Sequence, residues 1–64
     1  MVDFEDNSVL DFYLENFGLD INEKNRASLR AMEKELKLLF GRGAIRHVEF
    51  QAYLMMPKNF SRLV

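Results

Sequence analysis

Hydrophobic and polar positions divide the chain into three periodic segments and a tail, separated by Gly18, Gly41, Gly43 and Pro57. In the first, from about Ser8 to Phe17, Val9, Leu10, Tyr13, Leu14 and Phe17 recur at the 3–4 residue spacing that gathers side chains on one helix face. Asp11 and Glu15 fall opposite. Asn7 or Ser8 is placed to cap the first turn, where Asp11 also suits the helix dipole. Gly18 supplies the left-handed residue that ends many helices, and Leu19 can fold back on the last turn.

The second segment, Asn22 to Phe40, predicts the longest helix. Leu29, Met32, Leu36 and Leu39 step by three and four to draw one apolar stripe, which Phe40 widens. Asp20 with Glu23 reads as a capping box, with Asn22 as the competing cap, and Gly41 ends the element. Glu33 and Lys37 form a favourable pair one turn apart. Ala27, Ala31 and Leu38 cluster on the side away from the stripe, so this helix carries apolar groups on two faces. Such a helix is expected to be covered on both, and a second subunit is the simplest cover.

The third segment, Ala44 to Met56, fits two periods. As a helix it gathers Ala44, Ile45, Val48, Ala52, Met55 and Met56 on one face. As a strand it alternates Val48, Phe50, Ala52, Leu54 and Met56 with Glu49, Gln51, Tyr53 and Met55. A lone strand leaves both edges unpaired, which favours the helix. Pro57 stops the segment, and a short basic tail with Phe60, Leu63 and Val64 follows. The predicted fold is therefore all-α: a short helix, a long helix and a third helix in a single domain, with an acidic arm over 1–7 and a basic, apolar tail over 57–64. The alternative is α+β, with the third segment as a strand.

Size sharpens the expectation of a dimer. A chain of 64 residues buries only about 60% of the surface it exposes when unfolded, and without cysteine it has neither disulfides nor thiolate metal sites. A composition that is 48% hydrophobic, with six Phe and two Tyr, nonetheless supports a packed core. The start of the chain is acidic and lacks the basic and apolar regions of a signal peptide, and no apolar run reaches the roughly 20 residues needed to span a bilayer. These features predict a cytoplasmic protein with no membrane partner. Its small size suits an accessory protein of a phage, plasmid or bacterium.

The net charge of −1 conceals an asymmetry, because seven acids and no Lys or Arg lie in residues 1–23, while all nine Lys and Arg follow. Either the two halves attract each other, within the fold or across a dimer, or one half presents a charged face to a partner. Catalytic templates are absent. Ser8, Ser28 and Ser61 have only His47 as a potential base, with no nucleophile elbow around them. Gly41-Arg42-Gly43 is a helix-connecting turn, too short for a phosphate loop. Asp3, Glu5 and Asp6 lack the spaced ligands of a calcium loop, and no cofactor or metal is expected.

The leading functional expectation is a non-enzymatic regulator that binds a larger protein through Asp11, Phe12 and Glu15 on the first helix, or through the Ala27, Ala31 and Leu38 face, the latter also being the candidate dimer seam. A second is a dimeric nucleic-acid-binding regulator. Arg26, Arg30, Lys34 and Lys37 form a basic row on the long helix, extended by Arg42 and Arg46 beyond the turn. A third is a structural or assembly subunit.

Overall fold

A computed structural model describes residues 3–64 as a small all-α domain. Four helices follow one another: α1 (Asn7–Asn16), α2 (Glu23–Phe40), α3 (His47–Leu54) and α4 (Pro57–Phe60). No strand occurs among the described residues, so the third segment is a helix rather than the alternative strand. The tail differs from the expectation of three helices, since Pro57 occupies the first position of a single extra turn, where its missing N–H costs nothing.

Local chemistry explains the boundaries. The α1 cap is Asp6, not Asn7 or Ser8: its carboxylate accepts from the Ser8 N–H at 2.9 Å, and a charged acceptor at the positive end of the helix outcompetes the neutral candidates. At the other end, Gly18 stands at φ 67°, its N–H reaches Glu15 O, and Leu19 N–H reaches Leu14 O at 2.8 Å. This double bond is the Schellman closure, and it returns Leu19 to the core. The α2 cap is Asn22, whose side chain accepts from Asn25 N–H at 2.8 Å, so the Asp20–Glu23 box does not form. Gly41, at φ 64°, closes α2 by donating to Lys37 O.

The first three helices run up, down and up. Asp11 faces Arg26 and Asn7 faces Arg30, which sets α1 antiparallel to α2. Glu35 faces Tyr53 and Arg42 faces Glu49, which sets α3 antiparallel to α2. Between them lie Leu10, Tyr13 and Leu14 of α1, Leu29, Met32 and Leu36 of α2, and Phe50 and Leu54 of α3, closed by Phe4, Ile45 and Leu63. Phe50 is the hub, with ring centroids 4.6 Å from Phe4 and 5.0 Å from Tyr13.

The apolar face of α3 is the reverse of the expected one. Phe50 and Leu54 point inward, whereas Val48, Ala52, Met55 and Met56 are exposed. The helix starts at His47 rather than Ala44, and the large pair one turn apart at 50 and 54 takes the core in preference to smaller residues. Leu39 also departs from the expected stripe: α2 outruns the core, so Leu39 emerges 68% exposed.

Polar groups finish the other end of the molecule. Asn25, fully buried, donates to Asp20 O at 2.7 Å and Val64 O at 2.9 Å and accepts from Val64 N–H at 3.1 Å. Arg62 makes two bonds to the Glu35 carboxylate, which also accepts from Tyr53 Oη. Buried Asn59 donates to Tyr53 O at 2.9 Å. The tail is thus fastened to α2 and α3. Every buried side-chain nitrogen and oxygen among the described residues has a hydrogen-bond partner.

Candidate functional site

The six residues expected to bind a protein separate into two surfaces. On α1, Phe12 is half-exposed and Glu15 is exposed with no ion-pair partner among the described residues. Asp11 is not available in the same way. Its carboxylate takes two bonds from the Arg26 guanidinium, at 2.8 and 3.0 Å, and this contact holds its pKa below the ordinary 3.8. On α2, Ala27, Ala31 and Leu38 line the side turned away from the core, with Ala31 partly covered, Ala27 exposed and Leu38 83% exposed.

The basic row is largely engaged within the chain. Arg26 binds Asp11 and Glu23. Arg30 reaches Phe4 O and Asn7 Oδ1 and lies 3.5 Å from Glu23. Lys37 pairs with Glu33, and Arg42 pairs with Glu49. Among the described residues, Lys34 and Arg46 have no carboxylate within ion-pair distance. The acidic first half and the basic second half therefore meet inside one chain, at Asp11–Arg26 and Glu23–Arg30.

Sequence reasoning separated two groups that the fold brings together. Leu38 and Leu39 stand exposed on the last turn of α2, with Phe40 half-exposed beside them. The Arg42 guanidinium sits 4.7 Å above the Phe40 ring, a cation–π arrangement that folds the turn back toward the helix end. Lys34, Lys37, Leu38, Gly41, Arg42 and Gly43 line a shallow, open groove of about 580 Å³. A Cβ built at Gly41 or Gly43 would meet nothing within 4 Å, so the glycines leave the groove clear. The signal for this site was present in the sequence: three large apolar residues end the helix directly before Gly41-Arg42-Gly43. Leu38, Lys34, Lys37 and Arg42 are candidates on spacing alone; Leu39 is not, because the apolar stripe runs one step beyond the core beneath it.

Carboxylate pKa values report the same internal engagement. Glu49 is held below the ordinary 4.5 by the Arg46 backbone N–H first and the Arg42 side chain second. Glu35 is held below it by Arg62 and then by Tyr53. Burial pushes Tyr13 up to about 12, and its hydroxyl lies 2.7 Å from His47 Nδ1. That bond gives His47 a structural partner; its ring stacks on Tyr13 at 5.0 Å, with the tilted Phe12 ring 6.0 Å away, at the α1–α3 junction.

Compared with protein-family models, curated proteins and solved structures, the chain matches none. Its functional reading rests on the geometry of its own surface. No helix among the described residues is long and apolar enough to cross a membrane.

Proposed function

We propose that this chain is a non-catalytic regulator that binds a larger protein and blocks or redirects it. The observation that carries the reading is the end of α2, where Leu38 and Leu39 are 83% and 68% exposed on a well-capped helix beside an open groove. Exposing two leucines side by side forgoes roughly 1.5–3 kcal/mol of burial for each. Singly scattered exposed apolar residues need no explanation, but three large ones in succession at one helix end, Leu38, Leu39 and Phe40, are what an interaction surface presents.

The α1 surface is a weaker version of the same reading, because Asp11 is occupied by Arg26 and only Phe12 and Glu15 remain free. The nucleic-acid reading is weaker again. Phosphate binding by a basic row draws on a run of cations free to release their counterions, and here Arg26 and Arg30, the first half of the helix row, are only 22% and 29% exposed and are held by Asp11, Glu23, Asn7 and the Phe4 carbonyl. Self-association through the outer face of α2 would use Leu38 with Ala27 and Ala31.

A pull-down with the purified chain, with and without nuclease, tests the proposal against a Leu38→Ser, Leu39→Ser double variant. A discrete protein retained by the parent chain after nuclease, and absent with the variant, is the expected result. Equal recovery with both chains, or loss of everything on nuclease treatment, would remove it.

A further inference from the structure

The charges around the groove define the partner more narrowly, on the reading that the end of α2 is a protein-binding surface. Lys34, Lys37 and Arg42 stand on its rim, and Leu38 forms its apolar wall. Two of these cations have carboxylate partners, but the partners lie deeper than the cations do. The Glu33 side chain is 11% exposed against 36% for Lys37, and Glu49 is 24% exposed against 42% for Arg42. Lys34 has no such partner among the described residues. The rim cations are therefore more exposed than the carboxylates paired with them.

We infer that the groove between the last turn of α2 and the Gly41–Gly43 turn accepts an apolar side chain carried on an acidic segment of a partner protein. The apolar anchor packs on Leu38 over the bare glycines, and flanking Asp or Glu carboxylates reach Lys34, Lys37 and Arg42. A nucleic-acid strand is a poorer occupant. Its phosphates gain nothing from Leu38, the apolar wall of the groove. Basic segments are rejected by like charge.

The test is selection from a phage-displayed library of random peptides, each about a dozen residues long, against the immobilised full chain. Leu38→Ser, Lys34→Glu and Gly43→Phe variants are run in parallel. Gly43 lies outside the left-handed backbone region and has open space at its Cβ, so Phe there obstructs the groove without straining the fold. Circular dichroism confirms that each variant is folded before selection.

The expected result is enrichment of peptides with Leu, Phe or Met flanked by Asp or Glu. Their affinity falls about tenfold or more on each variant and weakens between about 0.05 and 0.3 M salt. Enriched peptides that lack acids, or that carry Lys and Arg, would overturn the inference while leaving the protein-binding reading in place. So would peptides that bind the parent and Leu38→Ser chains equally. Displacement of the selected peptides by an oligothymidine at equal concentration would overturn it in favour of nucleic acid. Self-association of the parent chain that Leu38→Ser abolishes, measured by sedimentation, would assign the groove to a second copy instead. A library that yields nothing above background on any of the chains would count against both the groove and the binding reading.

Discussion

The two ends of α2 treat their surroundings in opposite ways. At the N-terminal end, buried Asn25 ties down Asp20 and Val64, and further along the helix Glu35 grips Arg62 and Tyr53, so polar groups are matched within the chain and the tail seals the core. At the C-terminal end, the helix continues beyond the core, leucines face outward, and cations ride above their carboxylates. The difference separates residues that hold the fold from residues left for something else. One end is expensive to disturb and says nothing of partners, while the other is cheap to disturb and is the proposed binding surface.

The largest effect expected from this contrast belongs to Asn25. Asn25→Leu removes the buried side chain that bonds Val64 N–H, Val64 O and the Asp20 carbonyl and fastens the tail, which costs roughly 2–4 kcal/mol. Urea melts should show that loss, and the thermal midpoint should drop by roughly 10–20 °C. A change under about 1 kcal/mol would mean that the tail is not fastened as described.

Next comes Tyr13. Its folded pKa, raised to about 12, lies above the ordinary 10.0, so the unfolded chain loses this proton first as pH rises. The contribution is complete below pH 10, erodes above it and is gone once pH passes the folded value. Tyr13→Phe should cost about 1 kcal/mol at neutral pH through the lost His47 bond and should flatten the alkaline decline. An unchanged alkaline profile in Tyr13→Phe would count against burial as its cause.

The carboxylates act in the opposite direction. Asp11, Glu35 and Glu49 all have folded pKa values below the ordinary 3.8 or 4.5, so their stabilisation is present above those values and lost as pH falls through the lower folded ones. Urea midpoints should therefore fall steadily below about pH 4.5, and Glu35→Gln should lessen that fall while costing at most about 1 kcal/mol at neutral pH, because the pair is partly exposed. A midpoint insensitive to acid would show that these pairs are unfastened in solution.

Smallest in stability is Leu38→Ser. It removes no core contact and costs about 0.5 kcal/mol or less, through helix propensity alone. A loss above about 2 kcal/mol would place Leu38 in a buried setting in solution.

Much of the fold was legible in the pattern of residues. The α1 face came from Leu10, Tyr13 and Leu14, and the α2 stripe from Leu29, Met32 and Leu36, because both helices face the core on one side and keep a regular period. Gly18 and Gly41 ended their helices as expected, since a left-handed residue was needed at both. The third helix was harder. Its eight residues span little more than two turns, too few for periodicity to choose between Phe50 with Leu54 and Val48 with Ala52. Caps were misread where several polar residues stood in a row, as at Asp6-Asn7-Ser8, because local geometry chooses among them. Of the candidate site, Leu38 and the neighbouring Lys34 and Lys37 were legible as surface. Leu39 was not, because a stripe read from spacing alone gives no sign of where the core beneath it stops. The pairing of Asp11 with Arg26 was foreseeable only as charge attraction between halves, not as a specific contact.

The most direct measurement is site-specific photo-crosslinking in the cells that produce the chain, with a photoreactive phenylalanine at position 38 or, separately, at position 21. Ile21 is a suitable control, being 49% exposed and apolar but just before the start of α2, at the opposite end of that helix from Leu38. The account predicts a discrete adduct with a larger protein from position 38 and none from position 21. Adducts of equal yield from both positions, or an adduct from position 21 alone, would contradict it.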